Sequence, residues 1–517
     1  MVFLLPYPVM AQAQVSSFSQ AMAEAASGNA VIAEYYRDRA YAPLWTGPDD
    51  ASRRAALLAA FADAPMHGLP AIRYDADILA GQFRAAVTEG DRGRLEVAMT
   101  AAFLAYAHDL QSGVLEPSDV DAGILRQVIR PDGAMLLSAV EIPDPRAVLR
   151  NLAPKDVEYA QLMKEKLRLE FELGAEGWGS TIGIETLDPG DSGPKVVAMR
   201  DRLISLGYLG RSVSQVYDSQ IASAVQRFQL DQGLNADGVA GASTIDALNE
   251  TPQTRLKSIV VAMERLRWLS GADRSSRYIW VNQPDFTAEI VDNGKTTFKT
   301  RVVIGKDVLD QRSPEFSDKM EYMVINPSWG VPRSIIVKEY LPLLQRNASA
   351  VGHLDVIDGN GRVVPRGAIN FAAYSAKSFP YGLRQAPSDG NALGKVKFMF
   401  PNPQNIYLHD TPTKSLFSNE VRAYSHGCIR LADPIDFAYT LLARQSTDPQ
   451  SEFKSHLDTG LETNVTLEQE IPVHLVYFTA WPSAKGSITY RRDVYGRDSR
   501  IFDALTEAGV VLEGVQG

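Results

Sequence analysis

Asn405-Ile406-Tyr407-Leu408-His409, followed by Tyr424-Ser425-His426-Gly427-Cys428-Ile429-Arg430, is the stretch from which the fold of this chain is read. The first segment alternates polar and apolar residues, the period of a half-buried strand. Side chains two apart on a strand share a face, so Tyr407 and His409 are expected to point one way while Ile406 and Leu408 enter a core. Pro412 and mixed polar residues mark Asp410 to Tyr424 as a loop able to return the chain, so that Cys428 meets His409. Asp433-Pro434 ahead of Ile435-Asp436-Phe437-Ala438-Tyr439 predicts a capped helix start with proline at its first position.

Cys428 is the one cysteine in 517 residues, and it stands close to two of the seven histidines. A single cysteine is most often a small buried hydrophobe. Here Gly427 removes a side chain where a tight, exposed turn needs room. Arg430 adds positive charge that favours thiolate over thiol. A free thiol, with a pKa of about 8.5, is only slightly ionised at neutral pH, and a paired imidazole raises that fraction. The expected role is a nucleophile. Zinc is the rival reading, because His409, Asp410, His426 and Cys428 are all ligand types it accepts. The chain has neither a Cys-x-x-Cys pair nor a His-Glu-x-x-His helix, and His426-Gly427-Cys428 is a poor ligand spacing within one strand. No metal or other cofactor is expected.

Composition sets the frame. The length suggests about three domains; 45% apolar and 22% charged residues are ordinary for a globular protein. A net charge of −10 gives no general basic face for nucleic acid. No apolar run of about 18 residues predicts an internal membrane span. Residues 14–180 read as a helical domain, with Ala55 to Phe61 and Leu95 to Tyr106 as helices and Tyr35, Tyr36, Tyr41 and Trp45 as core aromatics. Ser180 to Ser192 shifts to Gly, Asp, Pro and Thr and reads as a linker. Residues 187–250 read as a small three-helix module, and Arg255 to Leu269 as one more helix, within a linking segment at 255–277. From Tyr278 the pattern turns to short strands (Tyr278 to Val281, Phe298 to Ile304, Glu321 to Asn326), which argue for a sandwich or barrel. Val473 to Phe478 is expected to close that sheet. Val337 to about Pro387 interrupts the strands and reads equally as a lid or a packed subdomain. The fold class is multidomain α+β, and 481–517 is taken as a tail.

His409 with Ser425-His426-Gly427-Cys428 resembles the signature of the YkuD-type L,D-transpeptidases. The likeness extends to Asn391-Ala392-Leu393-Gly394, His409-Asp410-Thr411-Pro412 and Asn326-Pro327-Ser328-Trp329, and covers roughly residues 278–480. It implies a cysteine acyltransferase acting on peptidoglycan stem peptides. Cys428 would attack the third-residue carbonyl, release the terminal D-alanine, and pass the acyl group to an amine of a neighbouring stem. His409 would move the proton, oriented by the backbone carbonyl of Asp410. The Gly427 and Cys428 N–H groups, with the Tyr407 hydroxyl, would form an oxyanion hole. Ser425 would fix the turn beside the substrate, His426 would shape the turn or touch substrate, and Arg430 would hold a substrate carboxylate or a structural acid. Carbapenems would acylate Cys428.

Leu206-Gly207-Tyr208, Tyr217-Asp218, Ala224 to Gln229 and Asp237 to Gly241 are similar to the three-helix peptidoglycan-binding module, which implies a glycan partner or a spacer. Residues 14–180 resemble the scaffold region of long family members. Val2 to Met10 followed by Ala11-Gln12-Ala13 reads as the remnant (1–13) of a signal peptide; a longer true start would also allow a membrane anchor. The expected location is the periplasm or cell envelope, and the expected state is a monomer. The alternatives are an L,D-carboxypeptidase or endopeptidase of the same fold, and a non-catalytic wall-binding protein.

Overall fold

Helix formers with apolar faces fill the first part of the chain. In the computed structural model, which describes residues 16–174, 181–183 and 186–512, they pack around one long helix, Glu89–Ser112. The segment read as a signal remnant lies outside the described residues. The long helix starts on a reciprocal cap: Asp91 N–H donates to the Thr88 hydroxyl and Thr88 N–H to the Asp91 carboxylate. Leu95, Val97, Met99, Phe103, Leu104, Tyr106 and Leu110 are all buried, so it is covered nearly all round. Tyr35, Tyr36 and Trp45 lie in this core, with Tyr41 at its edge.

One carboxylate organises that core. Glu96 is fully buried and accepts from the Tyr36 hydroxyl (2.6 Å), the Leu44 and Thr46 amides (2.6 and 2.8 Å) and the Thr46 hydroxyl (2.7 Å). Glu96→Ala strands these donors and opens a cavity, and is expected to cost about 2–4 kcal/mol in denaturant unfolding. A loss below about 1 kcal/mol would mean that water replaces the carboxylate.

The described part of the stretch read as a linker is structured instead. Ile182 and Leu187 are buried in the core of the three-helix module with Val196, Met199, Ile221, Phe228 and Ile245. Leu187 exchanges backbone hydrogen bonds with Ala240. Polar turn composition hid two apolar anchors. The next helix, Pro252–Trp268, is buried on nearly every side and joins the helical domain to the sheet. Its Arg265 pairs with Glu315 and with Asp498 (3.0 Å), and its Arg267 with Glu264 (2.7 Å). The segment read as a tail is part of this junction. Helix Arg497–Glu507 buries Ile501 and Leu505 against Leu256, Val260 and Trp268.

The strands form one nine-stranded sheet that closes on itself. Its order is Ala423–Ser425, Lys295–Gly305, Ile429–Leu431, Leu408–His409, Val396–Met399, Phe316–Ile325, Thr463–Val476, Arg277–Asn282 and Thr287–Asp292. The last strand pairs back on Lys295–Gly305, which leaves no edges within the ring. Thr463–Val476 therefore sits inside the sheet, between Phe316–Ile325 and Arg277–Asn282, and not at the closure. Ile279, Val281, Val302, Ile304, Met323, Phe398, Leu408, Ile429 and Leu431 fill the interior, joined by Phe437 and Leu441 of helix Pro434–Leu442. Proline does open that helix, but Asp433 does not cap it with its side chain; the carboxylate accepts from the Thr300 hydroxyl at 2.8 Å instead.

The interruption begins a few residues earlier than its sequence suggests. Val331, Ile335, Leu341, Leu354, Val356, Phe371, Phe379 and Leu383 form a separate core, under a small sheet of Trp329–Gly330, Gly382–Gln385 and Asp355–Ile357. Tyr374, Phe379 and Tyr381 stack edge to face, with ring centroids 5.5–6.0 Å apart.

Candidate active site

Strand register assembles the site. Ile429 and Arg430 pair in parallel with Leu408 and His409, and Ile429 N–H donates to the Tyr407 carbonyl at 3.1 Å. Ile406, Leu408 and Ile429 all enter the barrel core. Alternation therefore puts Tyr407, His409, Cys428 and Arg430 on the other face. The Tyr407 and His409 rings lie edge to face at 5.6 Å. Regular pairing starts only at Leu408, because Asn405 takes a left-handed φ of 54° and Asn402 holds the turn. The Asn402 side chain accepts from Ile406 N–H (3.1 Å) and donates to the Ile406 carbonyl (2.8 Å).

The Cys428 turn is held from inside. Gly427 has φ 115°, a region L side chains avoid, and a Cβ there would sit 3.3 Å from Ile406. Ser425 is buried; its hydroxyl accepts from Gly427 N–H (3.1 Å) and donates to the Cys428 carbonyl (2.6 Å). One expectation changes as a result. Gly427 N–H is engaged within the turn and is not a free oxyanion donor. Ser425 fixes the turn through its hydroxyl, as expected of it, from a buried position. Cys428 N–H has no acceptor among the described residues.

Cys428 is half-buried. Its thiol points to the Asn405 carbonyl at 3.7 Å, with Tyr407 beside it. Burial pushes the thiol up to about 11, against the lowering effect of Tyr407 and the Arg430 charge. Burial, and next the Arg430 charge, bring His409 down to about 3. No hydrogen bond joins thiol and imidazole, since the register sets Arg430, not Cys428, opposite His409. The resting pair is a neutral thiol and a neutral imidazole rather than an ion pair. His409 Nδ1 lies 2.5 Å from the Asp410 carbonyl; its N–H donates there, leaving Nε2 as the basic atom. The Asp410 carboxylate has other partners, accepting from Lys395 N–H (2.8 Å), Thr411 N–H (2.6 Å) and Lys414 Nζ (2.7 Å).

Arg430 forms no ion pair among the described residues, and its Nε is buried without a partner. No acid among the described residues meets it. The Nε2 of His426 lies 2.6 Å from Glu339 of the inserted subdomain. Among the described residues no group of three or more His, Cys, Asp or Glu side chains is placed to hold a metal.

The family profile for the L,D-transpeptidase catalytic domain, YkuD, matches residues 276–450. Residues 276–450 are thus similar to the YkuD L,D-transpeptidase catalytic domain. The Scaffold domain profile matches residues 30–165, and the profile named "Putative peptidoglycan binding domain" matches 192–248. A Haemophilus influenzae protein named "Putative L,D-transpeptidase" is 32% identical over 225 residues, 43% of this chain and 45% of that protein. The chain thus spans about half the length of the curated relative it matches. Among solved structures, an L,D-transpeptidase from Xylanimonas cellulosilytica DSM 15894 shows 14% identity and a TM-score of 0.17, over 57% of this chain and 98% of that one. Another, from Stackebrandtia nassauensis, shows 17% identity and a TM-score of 0.21, over 57% and 97%. Scores this low carry no structural weight.

Within this YkuD-like region, three partners of the site gave no local signal in the sequence. The Asn405 carbonyl faces the thiol, from a residue that the alternation had placed in the strand and that takes a left-handed turn instead. Ser313 donates to the Gly427 carbonyl at 2.7 Å across 114 residues of chain. Glu339 reaches His426 across 87 residues.

Proposed function

We propose that this protein is a peptidoglycan L,D-transpeptidase that works through a cysteine acyl-enzyme. The single observation that carries the reading is the set of Tyr407, His409, Cys428 and Arg430 on one face of two segments paired in parallel. The donor would be a tetrapeptide stem. Cys428 adds to the carbonyl of the third residue while its proton passes to His409 Nε2, and the carbonyl oxygen becomes an oxyanion. Collapse breaks the amide bond, and the His409 proton goes to the departing D-alanine nitrogen. An amine of a second stem then attacks the thioester, giving a 3-3 crosslink and freeing the thiol.

The neutral resting pair supports a proton transfer concerted with attack, not a stored thiolate. The thiol must rotate from the Asn405 carbonyl toward Nε2 for this transfer. Tyr407, which stands beside the sulfur, and the Cys428 N–H are the donors available to the oxyanion. Half-buried Arg430, with no ion pair among the described residues and its Nε without a partner, suits a substrate carboxylate as a charge-assisted acceptor. The scaffold and peptidoglycan-binding profiles support a wall polymer as partner, and the family supports a site of action in the periplasm or cell envelope. No helix among the described residues is long and apolar enough to cross a membrane.

Incubation with a purified tetrapeptide muropeptide, read by mass spectrometry, tests this reading. A crosslinked dimer with loss of D-alanine is the expected product. A tripeptide alone means that water resolves the thioester, and unchanged substrate with retained sacculus binding means a wall-binding protein.

A further inference from the structure

Behind the Cys428 turn stands a hydroxyl that the proposed chemistry does not use. Ser313 is fully buried; its hydroxyl accepts from Gly305 N–H at 2.9 Å and donates to the Gly427 carbonyl at 2.7 Å. The Gly427 carbonyl and the Cys428 N–H belong to one peptide unit. A trans peptide is planar, with its C=O and N–H on opposite sides, and no peptide bond among the described residues is cis. Holding the carbonyl inward on Ser313 therefore turns the Cys428 N–H outward, toward the side from which a substrate carbonyl would approach. That N–H has no acceptor among the described residues. Glycine at 427 lets this peptide rotate at low cost, so local sequence does not fix its direction.

We propose that Ser313 is a positioning residue that locks the Gly427–Cys428 peptide so that Cys428 N–H donates to the oxyanion formed during acylation. The proposal rests on the acyl-enzyme reading above. Ser313 is itself clamped from two sides. The bend leading to it is tight, since a Cβ on Gly305 would lie 1.9 Å from the Gln311 carbonyl. The Tyr495 hydroxyl donates to the Gly305 carbonyl (2.6 Å) and accepts from Ser313 N–H (3.3 Å). Arg497 donates to the Ser313 carbonyl (3.1 Å) and to Glu315 (3.2 Å). Tyr495 and Arg497 are both buried, which gives the carboxyl-terminal segment a direct mechanical link to the cysteine turn.

Two reactions of the same sulfur separate aim from integrity. Acylation by a carbapenem passes through a tetrahedral oxyanion. Alkylation by iodoacetamide displaces iodide and forms none. In the full-length chain, Ser313→Ala is expected to slow acylation about 10- to 100-fold while alkylation changes less than about twofold, because a misdirected oxyanion donor affects only the first reaction. Tyr495→Phe, which loosens Ser313 without touching its hydroxyl, is expected to show the same split to a smaller degree. It carries the comparison if Ser313→Ala does not fold. Equal loss in both reactions would make Ser313 a support of the fold alone, and unchanged acylation would remove its role. Either result leaves the acyl-enzyme reading standing if the parent chain acylates. A parent chain that alkylates but never acylates removes both.

Discussion

Cys428→Ala is expected to leave no measurable turnover of a tetrapeptide muropeptide and no covalent adduct with a carbapenem. Loss of the nucleophile removes the acyl-enzyme path altogether, and the equivalent loss in a serine protease costs on the order of 10⁶ in kcat. The substitution should not be confused with unfolding. Cys428 is half-buried and only partly packed against the barrel core, so deleting its sulfur costs about 1 kcal/mol or less. Intact mass and a thermal melt on the same sample check both points. Product formed at the parent rate would mean that the sulfur is a bystander. The variant should still bind purified sacculi if the three-helix module contacts glycan, which separates attachment from chemistry.

His409→Ala is expected to lower acylation about 10²- to 10⁴-fold, the usual contribution of a positioned general base. A loss smaller than tenfold would move the base elsewhere, with His426 the next imidazole along the chain. The pH dependence gives a second reading of the same residue. Burial, with the neighbouring Arg430, holds His409 down to about 3, so the imidazole is in its basic form well below neutrality. Activity requires that form and should be lost only as pH falls toward about 3. At the alkaline end the thiol ionises near about 11, and its thiolate is no less nucleophilic. Acylation by the parent chain is therefore expected to be nearly flat from about pH 6 to 9, where an unperturbed histidine would show a step near 6.5. The acid side must be compared with a melt at each pH. His67 and His474 are also held low by burial, to about 4 each. Groups lowered in the folded state take up protons first in the unfolded chain, so stability is whole above about 6.5 and declines as pH falls from there.

The register of the two paired segments explains how much of this site was readable in advance. Alternation at Asn405 to His409 set Tyr407 and His409 on one side and Ile406 and Leu408 on the other, and the structure agrees even where regular pairing is missing. Period-two patterning depends only on which residues avoid water, so it survives a local irregularity such as the left-handed Asn405. The same reasoning could not say which residue of the second segment stands opposite His409. One step of register decides between Cys428 and Arg430. Arg430 takes that place, and no hydrogen bond joins the resting thiol to the imidazole. The free Gly427 N–H failed for a comparable reason: the Ser425 hydroxyl two residues away was close enough to claim it.

Two segments are anchored by contacts that their neighbours in sequence do not reveal. The polar stretch Ser180 to Ser192 holds Ile182 and Leu187, and the segment 481–517, which resembled the family's tail, holds Ile501, Leu505, Tyr495 and Arg497. Each of these side chains is buried against residues distant in the chain, and a turn-rich or charged neighbourhood conceals such anchors. The inserted subdomain was visible as a break in the strand pattern, but the contact of Glu339 with His426 was not.

By itself the sequence determined the helical first part, the change to strands near Tyr278, the three-helix module, and a lone cysteine set in a glycine turn near a histidine-bearing strand. Those features follow from local periodicity and from what each residue type can do within a few positions. Only the tertiary structure decided that the sheet closes, that Arg430 faces His409, and that Ser313 reaches the Gly427 carbonyl. These are relations between segments from about 20 to more than 100 residues apart, fixed by how side chains share one enclosed volume.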